Sequence, residues 1–439
     1  MKKKYRIILY TSIFLLCVVA SIILVVKKSN SVYEEESKPK VVKHKSMLSM
    51  NLEQTAGSGD YKTVTQSSWP TEGYKFNAEL SKCENGSTLS WDDTKKAVIM
   101  QGNVSDKCYV YFDIWIPSIA DYCTSGTDLA TCVKNFGDQG PSVSNIYIHN
   151  SSLTNGAGDN SYRYAGANPN NFVCFGSDAS PCPIDNLYRI IGVFGENYHG
   201  ANGKQLVKLI KYDYMTTDEL GTDGDYSQTY KEWGMDSTYK GTYGDGERIG
   251  VYYWNYKATG SATNTWSTSL LNKTNLNTNF INNIGTTWAN KIATVTWKVG
   301  GNTWANIGTK TSSVAYTNEI TNPVTTNTTD NATTYSAKIG LMYVSDYGFA
   351  ASPDAWTLTM SSYNNTTATN NNWMYMGLYE WTISRYADYS DGAFTVHSDG
   401  GVYGDGVYGY FGVRASFNLE SSVSYVSGSG SMSDPIVIN

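Results

Sequence analysis

Twenty consecutive residues without a charge, from Ile7 to Val26, constrain this chain more than any other feature of its sequence. At about 1.5 Å of rise per residue they cover the roughly 30 Å hydrocarbon core of a bilayer. A cleavable leader has an apolar core of about 7–15 residues closed by a small-x-small cleavage site. This run is longer and lacks that ending, so it reads as a signal anchor, a transmembrane helix that stays in place. Leu16 stands where a lipoprotein signal wants a small residue, and the apolar run continues past Cys17, which therefore reads as a lipid-buried thiol. Lys2, Lys3, Lys4 and Arg6 crowd the short leading end, while Glu34, Glu35 and Glu36 follow Lys27 and Lys28. Retention of positive charge then places residues 1–6 in the cytoplasm and the chain beyond residue 26 outside the cell. The expected localisation is the cell membrane, single-pass, with the lipid bilayer as the partner of residues 7–26.

Charge divides in the same way. The first 48 residues carry +7, leaving −13 for the rest of a chain whose net charge is −6. An acidic exterior excludes nucleic acid as a partner, because phosphate contacts need clustered Lys and Arg. Six cysteines lie beyond the apolar run: Cys83, Cys108, Cys123, Cys132, Cys174 and Cys182. An even number in an oxidising compartment reads as three disulfides, and sequence proximity favours Cys83–Cys108, Cys123–Cys132 and Cys174–Cys182. Zinc is the rival reading, but no CxxC or HxxxH spacing occurs, so no metal is expected.

The organisation predicted along the chain is α+β and β-rich. Residues 27–60 read as a flexible stalk, polar and of mixed charge, with Pro39, Gly57 and Gly59 and no lasting apolar period. Residues 61–117 read as a small β module, with strand-type runs at Ala97–Met100 and Cys108–Phe112 and a Cys83–Cys108 staple to offset a thin core. Residues 118–439 are long enough for one larger domain. Within it Leu129, Cys132, Val133 and Phe136 recur at helical spacing, as do Leu276, Phe280 and Ile284. Arg189–Phe194 and Leu206–Ile210 read as two strands joined by a loop, and Ile249–Trp254 as another strand. Residues 309–336, rich in Thr and Asn, read as an exposed excursion.

Catalytic signatures are missing: there is no GxSxG, HExxH or P-loop, and Gly244-Asp245-Gly246-Glu247 reads as a turn. Asp218, Glu219, Asp223 and Asp225 lack the full calcium-loop pattern and read as a solvated acidic loop. His149, His199 and His397 have no partner at ligand spacing and read as surface or turn residues. No cofactor is expected.

The positive signal is aromatic. The chain holds 35 tyrosines, and Trp373, Tyr375, Tyr379, Trp381, Tyr386, Tyr389, Tyr403, Tyr408 and Tyr410 fall close together among Gly, Ser, Asn and Asp. Binding loops use that mixture, since Tyr and Trp offer rigid contact area while small polar residues adapt their hydrogen bonds. Aromatic faces edged by Asn and Asp also suit sugars. The candidate ligand-binding residues are Trp373, Tyr375, Tyr379, Tyr386, Tyr389, Tyr403 and Tyr408. Trp381, within a strand-like run, reads as core, whereas Tyr386, Tyr389, Tyr403 and Tyr408 read as surface.

Two longer stretches carry a resemblance: Asn160–Asn171 with Asn186–Val193 and Val207–Lys211, and Tyr410–Leu419 with Gly428-Ser429-Gly430 and Asp434–Ile438. Over roughly residues 120–439 the chain resembles surface proteins of gut Firmicutes. Their C-terminal domains look like the C-type lectin fold, in the branch that includes sulfatase-modifying enzymes and the variable receptor-binding proteins of diversity-generating retroelements. The resemblance implies a C-type-lectin-like head at residues 118–439. It does not carry the enzymes' chemistry, because no cysteine follows Cys182, nor a calcium-dependent sugar site, because Glu-Pro-Asn and Trp-Asn-Asp are both absent. Arg414-Ala415 replaces the Arg-Pro common in that family. The expectation is thus a membrane-anchored surface protein that binds or adheres to a glycan or protein ligand, without turnover. Two alternatives stand beside it: a cell-wall enzyme built from distant residues such as Asp223, Glu247 and Glu380, and a structural envelope component packed through its tyrosines.

Overall fold

Alternation of apolar and polar residues in Leu48-Ser-Met-Asn-Leu-Glu53 sends Met50 and Leu52 to one face, and in the computed structural model this segment is the first strand, β1. The structure describes residues 48–439, apart from 66–67, 71, 103–104, 196–198, 202, 235, 257–261 and 324–331. The cytoplasmic head 1–6, the apolar run 7–26 and residues 27–47 of the expected stalk lie outside the described residues. Among the described residues no helix is long and apolar enough to cross a membrane. The chain divides into two compact units at Ile116 and Pro117.

In the first unit β1 pairs antiparallel with β2 (Tyr61–Val64) and parallel with the long strand Cys108–Ile114, which also takes Tyr74–Phe76 and Lys82–Cys83. A hairpin of Thr88–Asp92 and Ala97–Gln101 completes it, its turn held by the Asp92 carboxylate, which accepts from the Thr94 and Lys95 amides. Met50, Leu52, Val110 and Phe112 form the core, with the rings of Trp69, Phe76 and Trp91 against Phe112. The stalk assignment therefore fails for residues 48–60. Charged neighbours hide the short alternation of β1 in the sequence, yet the strand is central to its sheet.

The second unit is β-rich with short helices. For its main sheet we label β3 (Ile146–Ile148), β4 (Tyr162–Tyr164), β5 (Phe172–Cys174), β6 (Leu187–Phe194) and β7 (Leu206–Lys211). The order runs from β3 through β4, β6 and β7 to Ser416–Asn418 and Ile339–Gly340, with β5 also on β6. All eight residues of β6 are buried, which is why, apart from Arg189, it reads as a near-continuous apolar run rather than an alternating one. Gly192 lies at a bulge in β6 where a Cβ would strike the Tyr162 carbonyl. Helix α1 (Leu129–Gly137) packs on this sheet through Leu129, Cys132, Val133 and Phe136, and Asp128 caps it by accepting from the Thr131 amide.

A second sheet carries β8 (Gly301–Asn302), β9 (Glu380–Tyr386), β10 (Gly392–Val396) and β11 (Val402–Gly406), with β8 parallel to β9 and the rest antiparallel. The ends of the unit are stitched together. Gly126 and Leu129 amides donate to the Tyr425 and Val423 carbonyls, Tyr425–Ser427 pairs with Val437–Ile438, and Ile436 bridges to Val173 in β5.

The disulfides are Cys83–Cys108, Cys123–Cys132 and Cys174–Cys182, the pairings that proximity favours. Two elements differ from expectation. Leu276 and Phe280 are buried on a helix, but Leu271–Phe280 is a π-helix, and Gly285, at φ 76°, interrupts the following Ile281–Ala289, which leaves Ile284 only half-buried. The expected excursion at 309–336 is not exposed throughout. Ser312–Tyr316 is helical and continues as a π-helix through Thr321, burying Ala315, Tyr316, Glu319 and Ile320, and Thr334–Ala337 is a strand. Val314 stays exposed, and the buried Glu319 carboxylate accepts from the amides of Val344 and Ser345 at the start of helix Val344–Ala350.

Candidate functional site

Strand β9 ends at Tyr386, and the chain returns through Tyr389 into β10, pairs back as β11 and leaves past Tyr408. This path encloses a hollow of about 240 Å³ lined by Tyr386, Tyr389, Asp391, Gly392, Asp405 and Tyr408 with Gly404 and Gly406. Tyr389 is 65% exposed and Tyr408 58%, the highest values among the large apolar side chains described in this unit. Tyr386 lies flat on Phe394, with centroids 4.5 Å apart and planes 10° apart. The glycines are required by the rings: a Cβ at Gly404 would run into Tyr386, and one at Gly406 into Tyr408. Buried Asn264 fixes the loop, its amide donating to the carbonyls of Tyr386, Tyr389 and Gly392 at 2.8, 2.8 and 2.9 Å.

Two carboxylates belong to this hollow. Burial works against the charge on Asp405, but hydrogen bonds from His397 Nε2 at 2.9 Å and Thr395 Oγ1 at 2.6 Å outweigh it and hold the pKa below the ordinary value. Burial raises the Tyr386 hydroxyl, so it stays a neutral donor and acceptor. The rim thus offers ring faces, carboxylate acceptors and phenolic hydroxyls, groups suited to the hydroxyls and C–H faces of a sugar.

The other candidates go elsewhere. His397 sits between Tyr379 and Tyr403, with both centroids at 4.5 Å; Tyr379 stacks on Phe411 and Tyr403 on Trp304, so these two support the hairpin from behind. Trp373 and Tyr375 are only 3% and 5% exposed. The Trp373 indole donates to the Tyr164 carbonyl and the Tyr375 hydroxyl to that of Ser398, and both line a second cavity rather than the tyrosine hollow. Trp381 is core, as expected.

Sequence reasoning missed a buried polar cluster. Asp159 accepts from Arg163 Nη2 at 2.8 Å, Ser161 Oγ at 2.5 Å and Tyr316 Oη at 2.7 Å, with His199 Nε2 at 3.3 Å. Lys208 Nζ donates to Asp346 Oδ2 at 2.5 Å. His149 and His199 are buried, which corrects their surface assignment; His397 is half-buried. The acidic stretch is solvated only in part: Asp218 and Asp223 are exposed, but Glu219 closes a capping box with Thr216 and pairs with Lys211, and buried Asp225 accepts from the Leu271 and Tyr256 amides. Of the residues of the enzyme alternative, Glu380 is paired with Arg414, Glu247 with Lys231, and Asp223 accepts from Asn279. No group of three or more His, Cys, Asp or Glu placed to hold a metal occurs among the described residues.

Comparison with known proteins gives no match: no family model fits the chain, and no curated protein or solved structure is significantly similar to it.

Proposed function

We propose that this chain is a membrane-tethered surface protein whose C-type-lectin-like head binds a saccharide at the hollow between Tyr386, Tyr389 and Tyr408. One observation carries the reading: the two most exposed large aromatics described in the head flank a glycine-floored hollow with Asp391 and Asp405 beside it. Leaving large tyrosine faces in water forgoes burial that a folded chain otherwise gains, and such faces beside adaptable polar groups are what contact surfaces use. The apolar run at residues 7–26 supplies the tether and three disulfides suit an exterior location. Concavity and carboxylate acceptors favour a sugar over a flat protein surface.

The test is a glycan array probed with the full chain in detergent. A retained glycan is expected to lose about thirtyfold or more in affinity when Tyr389→Ala and Tyr408→Ala are combined, the scale of a contact worth about 2 kcal/mol. Unchanged binding of every retained glycan by that double variant would refute the assignment. A retained protein in place of any glycan would move the reading to a protein ligand.

A further inference from the structure

The second cavity differs in charge from the first. It encloses about 230 Å³, and no acidic residue is among those that line it. At its floor lies Arg189 on β6, 4% exposed. Four other buried cations of this unit have carboxylate partners, Arg163 with Asp159, Lys208 with Asp346, Lys211 with Glu219 and Arg414 with Glu380, while buried Arg385 donates to the Val299 and Tyr386 carbonyls. Arg189 has no carboxylate partner among the described residues. Its guanidinium is clamped between the rings of Phe172 and Trp373, at 4.4 and 4.6 Å from their centroids, and held by neutral oxygens: Asn171 Oδ1 at 2.7 Å, the Pro169 carbonyl at 2.8 Å, Asn168 Oδ1 at 3.3 Å and the Trp373 carbonyl at 3.4 Å.

Taking a charge out of water without a counter-charge costs several kcal/mol, and burial pulls the Arg189 pKa down to about 9. Four of the five N–H groups of a guanidinium are occupied by these bonds, which leaves one on Nη1. At the cavity's mouth Lys240 stands over the Tyr375 ring at 4.4 Å and donates one bond to the Thr369 carbonyl, again with no carboxylate partner among the described residues. Two positive charges with donors to spare therefore converge on one small cavity in a chain that is otherwise acidic.

We propose that this cavity is a second binding site, for the carboxylate of a small acidic ligand of the acidic-sugar class, held between Arg189 and Lys240. The carboxylate supplies the counter-charge that the protein omits, the remaining Arg189 donor and the Lys240 ammonium take its oxygens, and the polar wall beside Asn372 receives the ligand's hydroxyls. The site is separate from the tyrosine hollow and does not depend on it.

The full chain in detergent is titrated with glucuronate, with glucose as the neutral control and sulfate as the alternative anion, following tryptophan fluorescence, since Trp373 lines the cavity. Glucuronate is expected to saturate the signal and to weaken at least fivefold in the surface variant Lys240→Gln and further in Lys240→Glu, while the Tyr389→Ala, Tyr408→Ala double variant binds it unchanged. Arg189→Lys, which keeps the charge and loses the planar fork, is expected to weaken it at least tenfold in a chain that still melts cooperatively. Absence of saturation by glucuronate, equal binding of glucose, binding of sulfate alone, or indifference to Lys240→Glu would each overturn the proposal. Loss of glycan binding at the tyrosine hollow alone would leave it standing.

Discussion

His149 shows how burial fixes a protonation state. Its Nδ1 accepts the Ala157 amide at 3.0 Å, so that nitrogen carries no proton, and Phe349 and Trp356 pack against the ring. Desolvation first, and then the nearby Arg163 charge, lower its pKa well below the ordinary value. The folded chain therefore binds fewer protons than the unfolded one once the pH falls below about 6.5, and stability declines on that side. Between pH 7 and pH 5 this one histidine is expected to lower the unfolding free energy. Urea unfolding at the two pH values measures the difference, and His149→Gln should remove that share of it; an unchanged slope in the variant would contradict the buried neutral assignment. Asp346 acts in the same direction at lower pH. Burial opposes its charge, but Lys208 and Arg163 outweigh that and depress its pKa, so its contribution is present above the ordinary carboxylate range and lost as acid reaches the folded value. None of this was legible in the sequence. Asp159 and Arg163 are near neighbours, but Tyr316 lies 157 residues from Asp159, and Lys208 lies 138 from Asp346.

At the scale of elements, the hairpin of β10 and β11 builds the hollow by omitting side chains. Gly404→Ala is expected to push Tyr386 off Phe394, lowering stability by about 1–3 kcal/mol, as overpacking does, and weakening any glycan held at the hollow at least tenfold. Gly244→Ala, where a Cβ meets nothing within 4 Å, serves as the neutral control. Thermal melts and glycan titration of both variants decide it; equal behaviour would show that the floor tolerates a methyl group. Composition located this region because tyrosines next to Gly and Asp seldom all fit inside a core. It did not separate Tyr389 and Tyr408, which stay in solvent, from Trp373, whose indole partner Tyr164 is 209 residues upstream. Local signals were read well: the helix at Leu129, the strands of β6 and β7, and cysteine pairs 25, 9 and 8 residues apart. The helix at residues 312–321 has no clean apolar stripe in the sequence, because polar Ser312 and Glu319 are buried with Ala315, Tyr316 and Ile320 while Val314 is exposed.

For the whole molecule, the two units are stabilised unequally. The first rests on a core of four buried apolar side chains and one disulfide. Closing a loop of 25 residues removes about 3.5 kcal/mol of unfolded-state entropy, a large share of what so small a unit can hold. Thiol reductant followed by limited proteolysis is expected to release fragments of residues 48–116 first and leave residues 117–439 as the resistant species by mass spectrometry; the reverse order would show that the small core suffices alone. In the larger unit the seam between Gly126–Leu129 and Val423–Tyr425 has a temporal meaning. Almost the entire unit must be synthesised before helix α1 meets its last partners, and contacts so distant in sequence form slowly. On the proposed topology the polypeptide would cross the membrane as an open thread, and the Val423–Tyr425 segment would act as the latch that shuts the head after delivery.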